Sequence, residues 1–192
     1  MNCLNVKLFP LIYPAVIEVE DGNETFSAVN NCLIRSSDKT LVMGCNNSII
    51  PEDGSVEIIG ACAFNFAQDL TKMNPNPLVL PNTIKEIRYR AFAVYAENDI
   101  HIIVPESVEK IGLMAFMMKS GTKKCTVTFL GSPELETGVF GTKAEANDTD
   151  YEIYKTMPDC IYTLPNELLV RAHANSGVID YCKKYGIPYT LI

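Results

Sequence analysis

Few residues in this chain are of types that carry chemistry, and those few are scattered. The only histidines are His101 and His173. His101 lies in DIHIIVP, alternating with Ile100 and Ile102, which points it out of a strand. The cysteines are Cys3, Cys32, Cys45, Cys62, Cys125, Cys160 and Cys182, and no two lie within four residues of each other. A zinc knuckle needs close pairs, so local metal ligation is excluded. Widely spaced thiols of this kind read as small buried hydrophobes, with one or two disulfide bridges the alternative for an exported protein. No serine stands in a G-x-S-x-G elbow, and Gly54, Gly60 and Gly112 form no phosphate-binding loop. Asp148, Asp150 and Glu152 resemble the start of a calcium loop, but the glycine and the distant glutamate are missing, so they read as a solvated acidic loop. Lys119, Lys123 and Lys124 read as a solvating basic turn. Nothing local supports a Cys–His nucleophile pair. The pattern predicts no catalytic site, no cofactor and no metal.

The composition describes the body that carries these residues. Of the 192 residues 47% are apolar and 20% charged, enough for one domain with a real core. Acidic residues outnumber basic ones, 23 to 16, for a net charge of −7. Such a surface repels phosphate backbones, so no nucleic-acid partner is expected. No apolar run approaches the roughly 20 residues of a spanning helix, so no membrane insertion is expected. The N-terminal stretch carries Lys7 inside its apolar run, is broken by Pro10 and Pro14, and lacks an A-x-A site. It is a poor export signal. Pro10 and Pro14 are instead expected to protect an open edge, with Phe9, Leu11 and Ile12 folded over the first repeat; the alternative is an exposed end that pairs with a second molecule or with upstream repeats.

Internal repetition sets the architecture. VEIIGACAF (Val56 to Phe64), IKEIRYRAF (Ile84 to Phe92) and VEKIGLMAF (Val108 to Phe116) align, and LETGVF ends a degenerate fourth copy at Phe140. The four phenylalanines are spaced 28, 24 and 24 residues apart. The three full copies follow the apolar runs SIIP, LVLP and IIVP, which end at Pro51, Pro81 and Pro105. The unit is a short strand, a proline, a polar turn, then an Ile-Gly and an Ala-Phe pair. A strand such as Ile100–Val104 is too short to stand alone, but it can pair in register with its equivalent in the next copy. Proline then ends the strand, having no N–H for the ladder. Ile59, Ile87, Ile111 and Leu135 fall at one repeat position and are expected to form an internal ladder, with the phenylalanines forming a second.

These copies resemble the BspA-like leucine-rich-repeat family, whose core reads Pro–x–x–Val/Ile–x–x–Ile–Gly–x–x–Ala–Phe. Pro81–Phe92 and Pro105–Phe116 match it well, and Pro51–Phe64 matches with two extra residues around Asp53-Gly54. Ile17–Gly44 is similar to the hairpin segment of such arrays, and Ala172–Tyr189 to their closing segment. Arg88 departs from the family's glycine, and Phe129 is read at the proline position of the fourth copy. The resemblance implies a mostly β fold with short helical turns: a leucine-rich-repeat-type solenoid of stacked parallel short strands with a C-terminal capping helix.

The flanks support this organisation from their own residues. Cys32–Arg35 and Thr40–Met43 are apolar runs around the turn Ser36–Lys39. Asn175 or Ser176 is placed to cap a helix over Val178–Tyr185, with Gly186 at its end and Pro188 beyond. The chain is therefore read as a single repeat domain over 1–192. Residues 1–48 are the N-terminal strand and hairpin segment, 49–140 the leucine-rich repeats, and 141–192 an inserted loop and C-terminal cap.

A stack of this kind presents broad, stiff surfaces to macromolecules. The expected function is a non-enzymatic, adhesin-like module that binds a protein partner, with host or cell-surface proteins implied by the resemblance. The alternative is a structural spacer or end-cap of a larger surface array, with no ligand of its own. Strand alternation nominates His101, Ile103, Thr126 and Thr128 for the binding face. The resemblance implies a cell-surface or secreted location; the N-terminal stretch argues against one.

Overall fold

The computed structural model describes residues 16–64, 67, 77–93, 99–117, 124–141 and 167–192. The N-terminal edge segment around Pro10 and Pro14, Lys119 and Lys123, and the acidic stretch with Asp148, Asp150 and Glu152 lie outside the described residues. Among the described residues the fold is mostly β, with one short helix and two sheets, neither closed into a barrel.

The first strands of the described residues are three antiparallel ones, β1 (Phe26–Val29), β2 (Cys32–Arg35) and β3 (Thr40–Met43). Asn30 and Asn31 join β1 to β2 with φ of 49° and 59°, the two-residue turn whose twist suits a hairpin. Asn31 also ties down the incoming chain, because its Oδ1 accepts from the Ile17 N–H at 3.2 Å. The β2–β3 turn is stapled by Arg35, whose Nε and Nη2 donate to the two carboxylate oxygens of Asp38 at 2.9 and 2.8 Å. That fork holds the Asp38 carboxyl well below the usual range.

From β3 onward the pairing becomes parallel. β4 (Ile58–Ile59), β6 (Glu86–Ile87), β8 (Lys110–Ile111) and β10 (Glu134–Leu135) continue one seven-stranded sheet in the order β1-β2-β3-β4-β6-β8-β10. Each of these four strands is only two residues long. Leu41, Ile59, Ile87, Ile111 and Leu135 stand in one row, the ladder read from the repeat spacing with Leu41 added at its start. The row faces the core, and all but Leu135 are fully buried. A second, all-parallel sheet of five strands has the order β12-β11-β9-β7-β5. Its members are β5 (Leu78–Val79), β7 (Ile100–Val104), β9 (Lys124–Phe129), β11 (Glu167–Ala172) and β12 (Tyr189–Leu191). Leu78, Ile102, Val127 and Val170 form its inward row.

The phenylalanines lie in the same core. Phe64 stacks on Phe92 at 5.1 Å between centroids, Phe92 on Phe116 at 5.8 Å, and Phe116 on Phe140 at 6.2 Å. Their backbones are tied as well: Phe64 N–H donates to Ala91 O, Phe92 to Ala115 O, and Phe116 to Val139 O. Two residues before each phenylalanine the backbone turns left-handed, with φ of 56° at Cys62, 51° at Arg90, 58° at Met114 and 79° at Gly138. A side chain there costs on the order of 1 kcal/mol. The turn aims the N–H of that residue at the next copy, Cys62 to Tyr89 O, Arg90 to Leu113 O and Met114 to Gly138 O. Only the fourth copy meets the requirement with glycine.

Two details differ from the repeat reading. Phe129 pairs with Val104, so it occupies the last inward strand position, and Leu130 follows it where Pro105 follows Val104. Phe129 is fully buried, edge-on to Phe116 and Phe140 at 6.2 and 6.4 Å, a core role that a proline position would not give it. Residues 48–50, the SII of the first apolar run, form no strand. The Ile49 N–H donates to Asn30 O, and Ser48 Oγ donates to Asn31 O, which ties the run to the first hairpin instead of to β5.

The helix α1 (Gly177–Tyr185) follows β11. Ser176 caps it by accepting from Val178 N–H, and Gly186 ends it with φ of 63°. The Ile187 N–H reaches back to Cys182 O and that of Gly186 to Lys183 O, a Schellman closure. Val178, Ile179 and Cys182 are buried against the core. Tyr181 takes the place that a fifth copy would fill. Its ring meets Phe140 edge-on at 6.3 Å, and its Oη accepts from Gly138 N–H at 3.0 Å and Val139 N–H at 3.2 Å while donating to Glu136 O.

Replacing Tyr181 by phenylalanine keeps the ring and removes that acceptor. The expected loss is about 1 kcal/mol of unfolding free energy, the net worth of a typical hydrogen bond. Amide exchange at Gly138 and Val139 should accelerate while exchange at Ile59 and Ile87 does not. Unchanged exchange at Gly138 would show that the phenol closes nothing.

Candidate functional site

The two sheets present outward faces of opposite character. On the seven-stranded sheet the outward row is Thr40, Ile58, Glu86, Lys110 and Glu134, and beside it runs Lys39, Glu57, Lys85 and Glu109. Charge alternates along Glu86, Lys110 and Glu134 in the first row, where Thr40 and Ile58 are uncharged and Thr40 is buried, and along the whole of the second. Glu57 pairs with Lys39 and with Lys85 at 2.7 Å, Glu86 with Arg88 at 3.1 Å, and Lys110 with Glu136 at 3.1 Å. Hydrogen bonds from Lys39 and then Lys85 pull the Glu57 carboxyl from 4.5 down to about 2. This face neutralises itself.

The outward face of the five-stranded sheet does not. Alternation sends Ile100, Ile102, Val104, Cys125, Val127 and Phe129 into the core, and leaves His101, Ile103, Thr126 and Thr128 on the other side. Register places His101 beside Thr126 and Ile103 beside Thr128, so all four nominated residues share one face. They are not equally accessible. His101, Ile103 and Thr126 are half-buried, but Thr128 is only 5% exposed. Its Oγ1 lies 2.8 Å from His101 Nε2, so Thr128 supports His101 instead of offering its own hydroxyl. Burial first, and the charge of Arg171 second, hold the His101 imidazole below its ordinary value, which favours the neutral ring.

Three members of this face were absent from the sequence reading. Val79, beside Ile103, is 55% exposed. On β11, Leu169 stands beside Thr126 and Arg171 beside Thr128, both half-buried. ELLVRA carries the strand's alternation, with Leu168, Val170 and Ala172 inward, and that was the available signal. Among the described residues no carboxylate forms an ion pair with Arg171. Lys124, at the start of the same face, reaches Glu167 at 3.9 Å.

Other candidate chemistry is not brought together. His173 is exposed, and its Nδ1 lies 3.2 Å from Ile192 O. Among the described residues no group of three or more His, Cys, Asp or Glu side chains could hold a metal ion, and no helix is long and apolar enough to cross a membrane. Cys32, Cys45, Cys62, Cys125 and Cys182 are not in disulfides, and of these five only Cys62 is not buried. Burial pushes the thiols of Cys32 and Cys125 up to about 12, away from the reactive thiolate. Compared with family models, curated proteins and solved structures, the chain matches none.

Two outcomes follow for solution work. The lowered Glu57 value means that its stabilising pairs are complete above pH 4.5 and are lost as pH falls toward 2. Denaturant midpoints between pH 5 and pH 2.5 should therefore fall more steeply for the native chain than for Glu57→Gln. Parallel curves would remove the ladder from the account. Alkylation of the native protein, mapped by mass spectrometry, should reach Cys62 before Cys32, Cys45, Cys125 or Cys182, with those four reacting only on unfolding. Early labelling of Cys125 would contradict its burial.

Proposed function

We propose that the chain is a BspA-like leucine-rich-repeat solenoid that works as a non-enzymatic, adhesin-like module, binding a protein partner at a cell surface. The solenoid reading is supported by the in-register parallel pairing of the copies, the stacked phenylalanines and the helix over the last copy. The binding reading rests on one observation, the difference between the two outward sheet faces. On one, Lys39, Glu57, Lys85, Glu86 and Lys110 form ion pairs with their own neighbours. The other carries Val79, Ile103, Leu169, His101, Thr126 and Arg171, a mixture of apolar, hydroxyl and cationic groups on paired strands. Protein interfaces favour such mixtures, with apolar and arginine side chains near the centre. Paired strands hold these groups at fixed spacing, which lowers the ordering cost of binding.

Beads coated with the chain should adhere to cells or to deposited extracellular matrix. Ile103→Glu should abolish the adhesion and Glu57→Gln should leave it intact, with folding checked by thermal melts. Adhesion that survives Ile103→Glu would remove this face from the function. No adhesion to any surface would favour the spacer reading.

A further inference from the structure

The outward row nearest the C-terminal ends of the strands runs Val79, Ile103, Thr128, Arg171 and Thr190 across β5, β7, β9, β11 and β12. It holds one positive charge, Arg171, half-buried and without an ion-pair partner among the described residues. The chain as a whole carries net charge −7, and the cations of the other sheet are paired. Thr128 beside Arg171 has its hydroxyl within hydrogen-bond distance of His101, and Leu169, two residues back on the same strand, is apolar. A guanidinium in such a setting offers a planar fork of N–H donors suited to a carboxylate.

The rest of the row defines what lies next to that carboxylate. Neighbouring strands are about 4.8 Å apart, so Ile103 lies about 10 Å from Arg171 and Val79 about 14 Å. An extended chain advances about 3.3 Å per residue and returns a side chain to the same face every second residue. A segment crossing the strands therefore brings its residue about four positions from the acid over Val79, and the one between them over Thr128 and Ile103. We propose that this row takes an extended segment of a protein partner, with an Asp or Glu carboxylate on Arg171 and an apolar side chain about four residues away against Val79 and Ile103. The proposal deepens the binding-face reading and rests on it.

The test is selection of linear peptides from a random phage-displayed library on the immobilised full chain. The expected result is enrichment of Asp or Glu with Val, Ile or Leu about four positions away. A synthetic copy of the best peptide should bind Arg171→Gln at least about tenfold more weakly, a loss of one charge-assisted contact. Ile103→Glu should weaken it as well, Arg171→Lys should retain part of the affinity, and Glu57→Gln should not alter it. Thermal melts of each variant separate lost binding from lost folding, and Arg171→Gln keeps an uncharged polar side chain at this half-buried strand position. Peptides that lack an acid and bind Arg171→Gln normally, yet fail on Ile103→Glu, would overturn this inference and leave the binding face standing. Peptides indifferent to every variant of this face, or no enrichment at all, would overturn both.

Discussion

Everything in this structure depends on successive copies pairing in register. The strands β4, β6, β8 and β10 are two residues long, and a strand that short cannot hold a register by its own hydrogen bonds. Three side-chain ladders hold it for them. Inside are the Ile59–Ile87–Ile111–Leu135 row and the phenylalanine stack; outside is the alternating charge row. A slip of one residue would turn the isoleucines to solvent and bring Glu86 and Lys110 inward. Offset aromatic stacking adds about 0.5–1.5 kcal/mol per pair to the burial of each ring. Such increments outweigh the strain of the left-handed residues Cys62, Arg90 and Met114, whose N–H groups in return bond to the next copy.

A stack with such strong internal pairing has a problem at its ends, where the same groups lack the next copy. At one end the antiparallel hairpin supplies β3, whose Leu41 continues the interior row and whose Thr40 continues the outer one. At the other end α1 supplies side chains in place of a backbone. The Tyr181 phenol accepts from the Gly138 N–H where carbonyl groups of the next copy accept from Cys62, Arg90 and Met114, and its ring packs edge-on over Phe140. The Ser176 cap and the Gly186 closure fix the helix length, which in turn fixes where Tyr181 falls.

What was legible in the residues was whatever repeats. β2, β3 and β7 stand at the bounds their apolar runs indicated, and the interior ladder follows from aligning the copies. Features that occur once were harder. β1 is announced only by Asn30-Asn31, a pair that tolerates left-handed backbone but is weaker than Asn-Gly as a turn signal. β11 lies outside the repeat, so its ELLVRA alternation had no aligned partner to reinforce it. Arg171 was missed with it. Thr128 illustrates a different limit. Alternation tells which face a side chain takes, but not how deep it sits. On β9, flanked by β7 and β11, Thr128 stands in register between Ile103 and Arg171 and is only 5% exposed.

The contrast between the two outward faces bears on function through desolvation. A partner landing on the Lys39–Glu57–Lys85 row would have to strip water from charges that already satisfy each other, and would gain little in return. On the five-stranded sheet the balance has the opposite sign. Val79 and Ile103 release water favourably when covered, and Arg171 is half-buried without an ion-pair partner among the described residues, so part of its desolvation has already been met in folding. A carboxylate arriving there gains a charge-assisted contact in a site that is partly dry before it arrives. The two outward faces therefore differ in what covering them would cost, and Val79, Ile103 and the Arg171 guanidinium that β11 adds together make that difference.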